Sequence, residues 1–278
     1  GLREVQLHHL ADHAPTLREL LPTLCRQLGV PLRITLHDYH VICPRINLVD
    51  ATGRYCGEPQ PAVCNRCLQA DAEGRAAGPI AGWRAAHRQL LEQADEVIVP
   101  DRDVSLRLGR YFPALPVQVR PHEPLPVLPA VEAGGRGAVR QVLAIGSLSV
   151  IKGYEVLLGL ASSPVARAAG LHFTLLGHSP NDRQLREAGV TVLGRYDDEQ
   201  LEARIAELQP DLILLPSVWP ETYSYVLSGA MKSGRRIAVF DLGAPARRLR
   251  AAGVDAIIVP VDLAAHPDLL ANALIKAA

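Results

Sequence analysis

The sequence predicts an α/β protein built from two Rossmann-like domains, and three observations predict it. Short apolar runs rich in Val, Ile and Leu alternate with stretches whose apolar residues recur at helical spacing, as expected of parallel strands covered by helices on both faces. Several of these runs end in Gly, His or charged residues, at the carboxyl edge where open parallel sheets bind ligands. The chain has 278 residues, enough for two domains at roughly 100–200 residues each.

Glu4 to His9 reads as a short strand ending in two histidines. A helix is expected over Ala14 to Leu28, with Leu17, Leu20, Leu21, Leu24 and Leu28 on one stripe and Gly29 ending it. Pro31 to Leu36 is the next buried strand and runs out into His37-Asp38. A complete Rossmann-like domain would place further strands and a glycine-rich turn ahead of this unit. Residues 1–122 are therefore expected to form an incomplete first domain, and the chain to belong to a longer polypeptide with further domains.

Tyr39 to Gly78 interrupts the rhythm and is expected to be irregular, with Cys43, Cys56, Cys64 and Cys67 inside it. Regular structure resumes with a helix over Ile80 to Gln93, a strand at Glu96 to Val99, a helix over Asp103 to Tyr111 and a strand at Val117 to Val119. Residues 123–138 read as a linker rich in Pro and Gly, with His122-Glu123 in a structural role where the chain crosses. The second domain, 139–278, opens with a strand at Gln141 to Ile145, a loop from Gly146 to Gly153 and a helix from Tyr154. Strands at His172 to Leu176 and Val190 to Leu193 follow, then a helix over Asp198 to Leu208.

The stretch from Leu214 to Arg250 organises the second domain. Asp211 to Leu215 suits a buried strand, Pro216 to Pro220 a turn, and Glu221-Thr222 the opening of a helix that ends at Gly234. Ile237 to Phe240 is the next strand, Gly243-Ala244-Pro245 starts another helix, and Ala256 to Val259 precedes a last helix after Pro267. A helix start at the carboxyl end of a strand offers backbone N–H groups and a positive dipole end to an anion such as a diphosphate. Without that ligand, Glu221 is an acidic residue in a first helical turn, worth a few tenths of a kcal/mol to about 1 kcal/mol.

Composition narrows the classes. Hydrophobic content of 48% and charged content of 21% provide for a sizeable core. Lys+Arg and Asp+Glu are both 29, a balance that argues against a general nucleic-acid binder. No apolar run approaches the ~20 residues that span a bilayer, and no signal peptide is evident. A cytoplasmic protein is expected, with the inner face of the membrane as its alternative place of work. The pattern Cys43-x12-Cys56-x7-Cys64-x2-Cys67 suits a closed, tetrahedral structural zinc site, which would offset the entropy of ordering a loop with few apolar residues. Reduced thiols, disulfides and an iron–sulfur cluster are the rival readings, and Cys25 belongs to the core.

These residues also carry a family resemblance. Pro-Ser-Val-Trp-Pro-Glu-Thr-Tyr-Ser-Tyr-Val-Leu-Ser, from Pro216 to Ser228, resembles the donor-site loop of the retaining, family 4-like glycosyltransferases of GT-B fold. Their usual pattern is Glu-x7-Glu, and here the first carboxylate is Glu221 while the second position falls on Gly229. Gly146 to Gly153 is similar to the family's Gly-Arg-Leu-x3-Lys-Gly element: Lys152 matches, and Ser147 stands at the arginine position. That loop lacks the Gly-x-Gly-x-x-Gly fingerprint, which argues against a dehydrogenase. His-Asp-Tyr followed by Cys-Pro-Arg and a cysteine-rich insertion resembles a subset of bacterial polysaccharide glycosyltransferases.

The resemblance implies two Rossmann-like domains facing a cleft, and transfer of a sugar from a nucleoside-diphosphate sugar to a hydroxyl of a glycan or lipid-linked glycan, with retention. It assigns Gly146, Ser147, Lys152, Thr222, Tyr223 and Ser224 to donor binding, and Glu221 to the donor sugar. His9, with His37 and Asp38, falls to the reacting face. No catalytic metal is expected, and no nucleic-acid partner. The alternative, from another class, is a non-catalytic domain that binds nucleotide or sugar, or scaffolds a larger synthase; Gly229, Ser147 and the incomplete first domain are its support.

Overall fold

The structure, a computed structural model, describes residues 1–11, 13–128 and 138–276. Most of the expected linker, 129–137, lies outside the described residues. The described chain divides into two compact units. The first comprises Gly1–His122 together with Trp219–Tyr223, and the second Glu123–Val218 together with Ser224–Ala278.

The first unit begins with β1 (Val5–Leu7), α1 (Leu17–Leu28) and β2 (Leu32–Thr35). Gly29 closes α1 in the left-handed region at φ 63°, where glycine alone bears no Cβ penalty. Three helices follow, α2 (Pro61–Leu68), α3 (Ala72–Ala77) and α4 (Ile80–Glu92), then β3 (Glu96–Val99), α5 (Arg102–Tyr111) and β4 (Gln118–Val119). The strands form one parallel sheet in the order β1-β2-β3-β4. Leu32 and Ile34 of β2 and Val97 and Val99 of β3 are buried, which fits strands covered by helices.

The second unit is built from β5 (Gln141–Ser147), α6 (Tyr154–Ser162), α7 (Pro164–Ala168), β6 (His172–His178), α8 (Asp182–Glu187) and β7 (Thr191–Val192). It continues with α9 (Leu201–Leu208), β8 (Leu212–Leu215), α10 (Tyr225–Lys232), β9 (Ile237–Phe240), α11 (Gly243–Ala252), β10 (Ala256–Val259) and α12 (Pro267–Lys276). All its strand pairs are parallel, in the order β10-β9-β8-β5-β6-β7. The chain starts in the middle at β5, winds out to β7, returns to β8 beside β5 and winds out the other way. That is the doubly wound order, with its switch point between β5 and β8. Leu143 and Ile145 of β5 pack with Ile213 and Leu215 of β8, Leu227 and Met231 of α10 and Leu249 of α11 in one core cluster. Val142 and Ala144 are buried as well, so β5 is apolar on both faces, as the sequence pattern required.

The expected α/β fold with parallel sheets is therefore present, and two local expectations are corrected. Residues 39–78 are not irregular throughout, because α2 and α3 lie within them and Cys64 and Cys67 sit on α2. Pro61 occupies the first turn of α2, where its missing N–H costs nothing. The helix expected from Glu221-Thr222 begins only at Tyr225, because Ser224 is the residue that caps it. The Ser224 Oγ accepts from the Leu227 N–H at 3.4 Å and satisfies one of the open donors of the first turn.

Candidate functional site

The switch point of the second unit gathers the exits of β5 and β8. The loop leaving β5 is tied down by backbone bonds: Leu148 N–H to the His178 carbonyl at 2.9 Å, Lys152 N–H to the Ser149 carbonyl at 3.0 Å, and Tyr154 N–H to the same Ser149 carbonyl at 3.1 Å. The loop leaving β8 meets it, with Val218 N–H donating to the Ile151 carbonyl at 2.9 Å. Gly153 has φ 94°, and a Cβ there would collide with the Pro216 carbonyl. The backbone of Lys152 is thus held at the carboxyl end of the sheet by the exits of both strands.

Ser147 and His178 are cross-strand partners at the ends of β5 and β6, and Ser147 Oγ lies 3.2 Å from His178 Nε2. Gly177, at φ 143°, leaves room for the Gly146 carbonyl where any Cβ would clash. A hydroxyl, an imidazole and the lysine loop therefore share one sheet edge, a donor set suited to a phosphate oxygen. His178 escaped the sequence reading; its signal was a Gly-His pair ending the strand beside the Gly-Ser pair.

Beyond β8, Arg248 of α11 is buried, 5% exposed. Its guanidinium donates to the Ser224 carbonyl at 2.7 Å and to Ser228 Oγ at 2.7 Å. Ser228 Oγ in turn donates to Glu123 Oε2 at 2.7 Å. These bonds fix the first turn of α10, and neither Arg248 nor Glu123 was singled out from sequence for this. Gly229 faces inward: a Cβ there would lie 2.5 Å from Leu201 Cδ2.

In the first unit, the strand ends collect the histidines. His9 Nδ1–H donates to Asp38 Oδ2 at 2.8 Å, while Asp38 Oδ1 accepts from the His40 N–H at 2.8 Å. His8 Nδ1 and His37 Nε2 are 2.9 Å apart, and His37 Nδ1 and His122 Nε2 are 3.3 Å apart. The structure brings the predicted His9, His37 and Asp38 together and adds His8 and His122. Burial, with His122 and His8 close by, lowers the pKa of His37 below the ordinary histidine value.

Trp219–Tyr223 groups with this unit. Thr222 Oγ1 donates to the His37 carbonyl at 2.6 Å, and the Tyr223 ring meets the His122 ring edge-on at 5.0 Å. Glu221 is buried, 4% exposed, and Trp219 packs edge-on against the buried Tyr39 ring at 6.4 Å. Within the predicted donor set, Thr222 and Tyr223 thus bond and pack against the histidine cluster, Ser224 caps α10, and Gly146, Ser147 and Lys152 stand at the switch point.

Cys43, Cys56, Cys64 and Cys67 are free thiols. Burial pushes the Cys43 thiol up to about 11. Among the described residues no group of three or more His, Cys, Asp or Glu side chains is placed to hold a metal ion. Cys56, Cys64 and Cys67 lie near enough to Cys43 to add to the rise of its thiol. The segment is held by a buried ionic cluster: Arg107 Nε donates to Asp103 Oδ2 at 2.6 Å and Nη1 to the Tyr55 hydroxyl at 2.8 Å. Arg107 also pairs with Glu58, whose other oxygen accepts from the Tyr111 hydroxyl at 3.1 Å.

Two parallel-sheet α/β units, one of them doubly wound with its loops tied at the switch point, define a protein of the GT-B class. The family model described as Glycosyl transferases group 1 matches residues 139–278, half of the chain, and the chain belongs to that family. Comparison with curated proteins finds no match in sequence. Among solved structures, a mutant of S. aureus TarM in complex with Fondaparinux, alpha-GlcNAc-glycerol and UDP matches with a TM-score of 0.55 and 14% identity, covering 92% of this chain and 49% of that one. Anabaena Alr3699/HepE in complex with UDP matches with a TM-score of 0.56 and 17% identity, over 98% of this chain and 68% of that one. The same Anabaena protein with UDP-glucose gives a TM-score of 0.54 at 18% identity. At these identities the likeness is one of fold. The chain spans about half to two thirds of the length of these proteins. Among the described residues no helix is long and apolar enough to cross a membrane.

Proposed function

We propose that this chain is the donor-binding and partial acceptor-side portion of a retaining, family 4-like glycosyltransferase that moves a sugar from a nucleoside-diphosphate sugar to a glycan or lipid-linked glycan hydroxyl, in bacterial surface polysaccharide synthesis. The observation that carries this reading is the switch point: in a chain of this family, the Lys152 loop is tied to the exits of β5 and β8, with Ser147 and His178 beside it. Ser147, Lys152 and the Ser224 helix start are assigned to the diphosphate and Glu221 to the sugar. His9, with His37 and Asp38, is assigned to the reacting hydroxyl.

In this reaction the anomeric C–O bond to the diphosphate breaks and a C–O bond to the acceptor forms on the same face of the sugar. The acceptor loses its hydroxyl proton. Cationic and hydrogen-bonding groups aimed at the departing diphosphate lower the barrier by holding charge where it develops. The reading calls for no catalytic metal, and it places the protein in the cytoplasm. That Anabaena Alr3699/HepE was solved with UDP and with UDP-glucose makes a uridine nucleotide the first donor to try.

A non-catalytic binding or scaffolding role is the second reading, and Gly229 favours it. Where the resemblance expects a carboxylate, this position faces Leu201 and has no side chain with which to hold a hydroxyl.

Calorimetric titration with UDP, GDP, dTDP and ADP tests the donor site. One nucleotide is expected to bind saturably, and Lys152→Ala to weaken it about tenfold, the order of one charge-assisted hydrogen bond. Glu221→Ala is expected to leave nucleotide binding in place and abolish sugar transfer. If none of the four binds even at millimolar concentration, the donor site is wrong; nucleotide binding without turnover selects the second reading.

A further inference from the structure

The carboxyl edge of the second unit's sheet carries a pair of side chains whose hydrogen bonding is set by one proton. Ser147 ends β5 and His178 ends β6, and the two are register partners in a parallel pair, so their side chains leave the same face. Ser147 Oγ stands 3.2 Å from His178 Nε2. Gly146 and Gly177 precede them, at φ 109° and 143°, and add no side chain to that edge. Ser147 is exposed and His178 half-buried, so an anion from solvent can reach the hydroxyl while the imidazole is partly shielded from water. A neutral imidazole can meet the hydroxyl as donor or as acceptor, and as acceptor it takes the hydrogen an anion would need. In the imidazolium both nitrogens carry hydrogen. Nε2 must then donate to Oγ, and the Ser147 hydrogen is directed elsewhere.

We propose that His178 holds the donor diphosphate as an imidazolium and turns the Ser147 hydroxyl hydrogen onto a phosphate oxygen, so that each donor enters with a proton taken up from solvent. This role rests on the reading of that edge as the diphosphate site. One N–H bond forms, at the ring nitrogen that is bare in the neutral imidazole, and its proton comes from water or buffer. No other bond is made or broken. The anion favours the charged ring, so donor affinity is highest at low pH and is lost as pH rises and the ring in the complex gives up its proton.

The charged groups around the pair come from three sides. On α8 stands Asp182, whose Oδ1 accepts from the Ser179 N–H at 2.6 Å and from the Ser179 hydroxyl at 2.7 Å. Burial works against its charge, yet these bonds, with Arg186 and His178 nearby, hold the Asp182 carboxyl below its ordinary value. It is therefore an anion wherever a histidine changes charge. On the β5 side is the loop of Lys152, tied to the sheet edge by the Leu148 N–H on the His178 carbonyl at 2.9 Å. On the far side Gly194 bridges Gly177, and Arg195 follows it. Asp182 favours the imidazolium and the two cations oppose it, so the arriving diphosphate tips the balance towards the charged ring.

Calorimetry of the full chain with UDP-glucose, GDP-mannose, dTDP-glucose and ADP-glucose tests this, because a diphosphate esterified at both ends has no proton of its own to exchange near neutrality. For the donor that binds, affinity is expected to fall roughly tenfold between about pH 6 and pH 8, the order of one charge-assisted hydrogen bond. His178→Arg keeps a cation at every pH and is expected to bind without that dependence. His178→Gln is expected to bind weakly and equally across the range. Long-range 15N–1H correlation of the wild-type protein reads the ring itself, and is expected to show hydrogen on both His178 nitrogens once donor is saturating at neutral pH. That readout needs no variant, so misfolding of a mutant cannot hide the answer. A donor-bound His178 that stays neutral, or a pH dependence that survives in His178→Arg, overturns the proposal and leaves the donor site standing. If none of the four donors binds at pH 6, the donor site is wrong and this role falls with it.

Discussion

His87 lies on α4 with no exposed surface. Its Nδ1–H donates to the Trp83 carbonyl at 2.8 Å, and Arg18 donates to its Nε2 at 3.3 Å. Both nitrogens are used by a neutral ring, and a cation stands beside it, so burial and Arg18 hold its pKa down to about 4 from 6.5. The unfolded chain binds a proton at His87 between these values and the folded chain does not. Stability from this residue is therefore complete above the unfolded value of 6.5 and falls as pH drops towards about 4, by up to about 3 kcal/mol. Urea titrations of wild-type and His87→Gln protein across that window are expected to show a steeper loss for the wild type. Equal slopes would mean that His87 is protonated in the folded state. Nothing in the sequence around Trp83 and His87 marks the residue for this, since its burial is set by packing from α1.

At the scale of elements, the strands were the most legible part. Ile237–Phe240 and Ala256–Val259 coincide with their apolar runs, the first buried at every residue and the second, at the sheet edge, at alternate residues, with no polar residue in either to blur the ends. Boundaries set by single side chains were harder to read. Glu221 has the appearance of a first-turn acid, but Ser224 is the oxygen within reach of the Leu227 N–H, and the preceding residues bond and pack in the first unit. The 39–78 segment was misread because α2 and α3 are short and amphipathic over too few residues for periodicity to show. It is anchored by the cluster of Arg107 on α5 with Glu58, Tyr55 and Asp103. The Glu58 side chain is 2% exposed and the Arg107 side chain 8%, so removing Arg107 leaves a buried carboxylate with only the exposed Arg110 as a cation, at 3.6 Å. Arg107→Met is expected to cost about 3–5 kcal/mol in chemical denaturation; a loss under 1 kcal/mol would show that solvent reaches Glu58.

For the whole molecule, the α/β class and the alternation of its elements were legible from hydrophobic period alone, whereas contacts between residues distant in sequence were not. His37 was legible as a strand-end residue, whereas His122 reads from sequence only as structural where the chain crosses, although it follows β4 as His37 follows β2. Only the fold shows that they touch. In the same way Arg248 and Ser224 are separated by a helix, a strand and the first half of another helix before they meet. Each unit has its own parallel sheet and buried side chains, so a single cooperative transition is not required of a chain this size. The distribution of tryptophan makes this measurable. The chain has two tryptophans, Trp83 and Trp219, and both belong to the first unit, whereas helix content comes from both. Leu143, at the centre of the second unit's core cluster and 2% exposed, is the residue to truncate. Leu143→Ala is expected to destabilise the second unit by about 2–5 kcal/mol. If the units unfold separately, the far-ultraviolet circular dichroism midpoint moves while the tryptophan fluorescence midpoint stays. If both midpoints fall together by the same amount, the two cores unfold as one cooperative unit, and the partition of this chain into two folding units is wrong.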